Sequence, residues 1–93
     1  MIEILPKQIE TYLSLVNDVN PIHQYIAPGQ MIVQVALVHN KLNWASYKVN
    51  YVEVVEVYEF IKFDFENKNK LVIKNQNDKV KIIVLKNELG AVY

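Results

Sequence analysis

The stretch running from Pro28 to Leu42 sets the tightest limit on what this chain can become. Met31, Ile32, Val33, Val35, Ala36, Leu37, Val38 and Leu42 leave it almost no polar face. Its valines and isoleucine would also suit a strand, but roughly fifteen residues is long for one, so the pattern predicts a helix. A helix that is apolar all round has to be buried. Pro28 suits its first position, where the missing N–H is one that a helix start leaves unpaired anyway, and residues 40–43 end it. A single helix of this kind needs a sheet wrapped around it to stay dry.

The remaining segments supply that sheet. Residues 2–5 read as a short strand. Pro6 then opens an amphipathic helix over 7–17, in which Ile9, Leu13 and Val16 recur at helical spacing with Tyr12 beside them. Asn17 and Asp18 end it, and Asn20-Pro21 is a turn signal, because Pro21 holds Asn20 out of the helical region. After Trp44 the pattern is β throughout. Tyr47, Val49 and Tyr51 alternate with Lys48 and Asn50, and the alternation slips at Tyr51-Val52, as at a bulge or bend. Ile61, Phe63 and Phe65 alternate with Lys62, Asp64 and Glu66. Asn67-Lys68-Asn69 and Asn75-Gln76-Asn77-Asp78 read as hairpin turns. Val80, Ile82 and Val84 form the last strand, apolar on both faces for part of its length, and Gly90 marks a frayed end. Three or four antiparallel strands segregated from the helices give an α+β domain.

Composition narrows the functional classes. At 93 residues the chain is read as one domain spanning 1–93. A domain this small buries only roughly 60–65% of its unfolded surface, so a monomer is marginal. Hydrophobic content of 52% and six tyrosines point to apolar surface covered by a partner, and a second copy of the chain is the expected one. The net charge is zero, which argues against a nucleic-acid partner. All the basic residues are lysine. Bidentate recognition by arginine is therefore absent, although lysine can hold a phosphate as a point charge. There is no cysteine, which excludes disulfides, thiolate catalysis and zinc–thiolate sites. Two histidines far apart, without clustered carboxylates, make no metal site. Neither a signal peptide nor an apolar run long enough to span a bilayer is present, so a cytoplasmic protein without a membrane partner is the expectation.

Chemistry concentrates in Asp18-Val19-Asn20-Pro21-Ile22-His23, which sets a carboxylate and an imidazole around a turn. Ile26-Ala27-Pro28-Gly29-Gln30-Met31 follows at the mouth of the apolar helix. The hexapeptide resembles the D-x-N-P-x-H signature of the MaoC-like dehydratases, or R-specific enoyl-CoA hydratases. The second segment resembles the I-A-H-G-M-L stretch that opens the central helix in that family. The likeness covers roughly residues 8–55. It departs at Pro28, where the family has histidine, and at Gln30, where it has methionine. It departs also in having only Gln24 and Tyr25 between His23 and Ile26, where the family has a longer cover over the acyl pocket. The resemblance implies a hot-dog fold, an antiparallel sheet wrapped around one long helix, usually as a homodimer. It implies an acyl-CoA ligand and a place in fatty acid metabolism, with no cofactor beyond the coenzyme A thioester itself.

On that resemblance Asp18 and His23 would be the catalytic pair, with Asn20 and Gly29 on the substrate side. Hydrating an enoyl thioester needs a water held against the β-carbon, a base for its proton and an acid for the α-carbon, work that an aspartate and a histidine sharing one water can perform. The thioester oxygen gains negative charge, and the N–H of Gly29 at a helix N-terminus would stabilise it, since glycine puts no side chain in the way. Two other readings accompany the hydratase. A non-catalytic acyl-CoA binding or regulatory module would keep the fold without the enclosure. A thioesterase would need a carboxylate on the central helix, and residues 28–43 contain no Asp or Glu. His39 reads as a C-terminal helix partner or a buried, hydrogen-bonded imidazole. Tyr47, Tyr51 and Tyr58 read as strand residues that pack the sheet or a dimer seam. Lys68, Lys70, Lys79 and Lys81 read as solvated flanks of the hairpins, with contact to the phosphates of coenzyme A as the alternative.

Overall fold

The computed structural model describes residues 1–16 and 26–87. Strand β1 (Ile2–Glu3) leads into helix α1 (Pro6–Val16). Strand β2 (Ile26–Ala27) leads into helix α2 (Gly29–His39). Then follow β3 (Tyr47–Tyr51), β4 (Val55–Glu56), β5 (Phe60–Asn67), β6 (Lys70–Asn75) and β7 (Val80–Lys86). The main sheet has five strands in the order β1-β5-β6-β7-β3, with every pairing antiparallel. A second, two-stranded sheet pairs β2 with β4. The result is the expected α+β domain.

Side-chain alternation gives the main sheet one dry face. Leu71 stands opposite Val84, and Ile73 opposite Ile82; all are buried, together with Ile61 on β5. Helix α2 contributes Met31, Ile32, Val33, Ala36 and Leu37 to the same core, joined by Ile4 before α1 and Ile9 within it. Each fully buried aliphatic side chain of this kind contributes about 1.5–3 kcal/mol. The turns predicted at Asn67–Asn69 and Asn75–Asp78 do join β5 to β6 and β6 to β7. Asn67 Oδ1 accepts from the Asn69 amide at 2.8 Å, and Asn75 Oδ1 accepts from the amides of Asn77 and Lys79 at 2.9 and 3.0 Å. Asparagine closes turns by this route, with its side chain replacing a backbone acceptor.

Several expectations need correction. Helix α2 covers 11 residues, shorter than the apolar run, and Pro28 is its cap rather than its first turn. The helix is not buried all round: Gln30, Gln34 and Val38 are exposed and, four residues apart, they form one stripe. Two short strands, β2 and β4, were not expected, since two residues show no period. Tyr58 is not on a strand. It stands in a turn at φ 72°, and its amide is tied to the Ile4 carbonyl. Among the described residues, no helix is long and apolar enough to cross a membrane. The turn at Asn20-Pro21 and the chain end at Gly90 lie outside the described residues.

Candidate functional site

The N-terminus of α2 opens into an apolar cleft of about 430 Å³. One wall is β2, Pro28 and Gly29; the other is Tyr51, Val54 and Val55, and Ile82 of β7 also lines it. Met31 and Ile32 donate to the Pro28 carbonyl at 3.0 and 3.3 Å. The amides of Gly29 and Gln30 are therefore the leading N–H groups of the helix, which intrahelical bonding leaves over.

Gly29 is required by its neighbour as well as by the helix. The ring of Tyr51 lies directly over it. A Cβ placed on Gly29 would stand 2.8 Å from Tyr51 Cδ1 and closer still to Cε1, so no larger residue fits while the ring keeps this position. Tyr51 ends β3, opposite Ile82, and remains half exposed. Burial pushes its phenol above the ordinary tyrosine range, and the nearby phenols of Tyr47 and Tyr12 push in the same direction. The phenol therefore stays protonated at neutral pH, as a potential hydrogen-bond donor at the edge of the cleft.

Residues 52–59, which carry the second wall across to β5, are anchored by Lys81. A β-bulge between β6 and β7 falls at Ile73/Lys74, opposite Val80 and Ile82. Lys81, between those two partners, is only 6% exposed. Its ammonium donates to the Val54 carbonyl at 2.9 Å, and stands 3.2 Å from Glu59 Oε1 and 3.7 Å from Glu53 Oε2. Its own carbonyl accepts from the amides of Val52 and Glu53 at 2.9 and 3.0 Å. Glu59 accepts further bonds from the Glu56 amide at 2.7 Å and the Asn75 side-chain amide at 3.1 Å. Burial opposes ionisation of Glu59, but the hydrogen bonds from Glu56, Asn75 and Lys81 outweigh it and hold the carboxyl below its usual range. A buried lysine is tolerated only when paired and bonded in this way.

Of the residues singled out in the sequence, Gly29 heads α2 at the cleft, as expected. Asp18, Asn20 and His23 lie outside the described residues. His39 is the last residue of α2, exposed and so not a buried imidazole, and tilts against Phe63 with ring centroids 5.1 Å apart. Lys70 and Lys79 hold carboxylates near the turns, whereas Lys81 is a buried clamp and not a solvated flank. Sequence reasoning missed both Lys81 and the pairing of Tyr51 with Gly29. The slip in alternation at Tyr51-Val52 was the signal that the chain leaves the sheet there. Among the described residues no cluster of histidine and carboxylate side chains could hold a metal ion. No family model, no curated protein and no solved structure matches this chain.

Proposed function

We propose that this chain is a hot-dog domain that takes an acyl thioester into the cleft at Gly29 and adds water across an enoyl thioester. The observation that carries this reading is the position of Gly29: it heads a helix buried against an antiparallel sheet, on the wall of an apolar cleft. The sheet order, with the first strand at one edge and β3 at the other, supports a hot-dog arrangement. The apolar walls suit an acyl chain. The leading amides of α2 suit an oxygen that becomes negative. Asp18 and His23, two and seven residues after the described part of α1, would share the attacking water. One of them takes a proton from the water as its oxygen bonds to the β-carbon. The electron pair moves through the α-carbon onto the thioester oxygen, and a proton returned to the α-carbon completes the addition.

Crotonyl-CoA hydration, followed by loss of the enoyl absorbance, tests the reaction. Turnover is expected in the unmodified protein, and a fall of about a hundredfold or more in Asp18→Asn and in His23→Ala. Equal turnover in all three proteins rules the mechanism out.

The Tyr51 ring over Gly29 favours a second reading, a non-catalytic acyl-thioester binding module, because the ring occupies space beside the amide that a reacting thioester would use. Calorimetry separates the two readings, since a binding module takes up acyl-CoA without turnover. In both readings the chain works as a homodimer. Strand β3 at the sheet edge and the exposure of Leu15 and Val38, 81% and 76%, support a second copy, and light scattering showing only monomer at micromolar concentration would contradict it.

A further inference from the structure

Lysines on the main sheet fall into two groups. Lys62 is paired with Asp78, Lys70 with Glu66, Lys74 with Asp64 and Lys81 with Glu59. Lys48 on β3 and Lys86 on β7 hold no carboxylate among the described residues, and both line the same groove, about 520 Å³ in volume, at the far end of the strands from Gly29. Lys70 lines it too, along with Asn67, Asn69, Asn87 and Leu85; among the described residues no Asp or Glu lines it. In the register, Lys48 and Lys70 flank Leu85 from either side, roughly 10 Å apart across two strand spacings. Protection of an edge strand accounts for Lys48 on β3. The pair with Glu66 accounts for Lys70, but neither explanation covers Lys86, because β7 is an interior strand.

We propose that this groove is a binding site for a phosphate-bearing anion of multiple charge, held between Lys48, Lys70 and Lys86. Ammonium groups without arginine bind phosphate as point charges, without the bidentate geometry that fixes orientation. Affinity then follows the charge of the anion and falls as salt screens it. The site is independent of the thioester reading, since the groove and the cleft share no lining residue.

The probe is inorganic pyrophosphate, titrated at low ionic strength with calorimetry and amide chemical shifts. Binding is expected, tighter than for orthophosphate, with shifts at Lys48, Asn69, Leu85 and Lys86. The double variant Lys48→Gln/Lys86→Gln should fold, because both side chains lie on the surface, and should bind at least about tenfold more weakly. Lys7→Gln/Lys41→Gln removes the same charge outside the groove and should bind as the unmodified protein does. Equal weakening in the two double variants, or no binding of pyrophosphate at all, overturns the proposal. Coenzyme A is the second arm. If it displaces pyrophosphate, the groove takes the nucleotide end of that molecule; if it does not, the groove takes a free polyphosphate, and the site stands in either case. Because crotonyl-CoA turnover is measured separately, the groove and the cleft can fail independently.

Discussion

The two walls of the cleft are held by opposite means. The α2 wall is part of the core: Ile32, Val33 and Ala36 are wholly buried, and Gly29 rides on that helix. The wall formed by residues 52–55 has one buried member, Val55, while Val52, Glu53 and Val54 are exposed. It keeps its place through polar bonds that converge on Lys81 and Glu59. Apolar burial is non-directional and changes little with pH, whereas a buried ion pair depends on geometry and on the charge of each partner. One wall should therefore behave as scaffold and the other as the adjustable part of the site.

The largest effect is expected from the scaffold wall. Ile32→Ala should cost about 2–5 kcal/mol, lower the unfolding midpoint in denaturant, and weaken the whole domain together. Lys81→Met, which keeps length and removes charge, should cost about 3 kcal/mol, near the low end for breaking a buried pair. Its signature differs: hydrogen exchange should quicken at Val52, Glu53 and Val55 before it does so in β6 and β7. Exchange that rises uniformly would erase the distinction between the walls.

Acid should act on the same wall. The Glu59 carboxyl is held below its usual range in the folded protein. Its stabilising contribution is therefore complete above the unfolded carboxylate value, about 4.3, and is lost as pH falls through the lower folded value. Urea midpoints measured from neutral to acidic pH should drop over that interval, and Glu59→Gln should flatten the drop. An unchanged pH profile in Glu59→Gln would remove Glu59 as its source. The smallest effect belongs to the contact between the walls. Gly29→Ala should displace the Tyr51 ring, and Tyr51→Ala should relieve that conflict, giving a coupling of about 0.5–1 kcal/mol in a double-mutant cycle.

Much of the scaffold wall was legible in the sequence. The apolar run from Met31 to Leu37 pointed to a buried element, and the asparagines at 67 and 75 marked their turns because the residue type itself supplies the turn bond. The adjustable wall was hidden for physical reasons. Lys81 sits in an alternating strand where a lysine reads as solvent-facing, and only the bulge opposite it and the covering residues 52–59 bury it. Strands β2 and β4 are too short to show a period. Tyr58 adopts a positive φ that bulky residues rarely take, fixed by a bond to Ile4 that no local pattern announces. In the candidate site, the glycine was legible from its place before the apolar run, and the tyrosine that covers it was not, because their contact joins a helix to the far end of an edge strand.

The most direct test of the cleft is an amide chemical-shift titration with S-butyryl pantetheine, which carries the thioester without the phosphates of coenzyme A. Shifts concentrated at residues 26–30 and 51–55 are the predicted result. Saturating ligand that leaves both segments unmoved would contradict the assignment of this cleft as the thioester site.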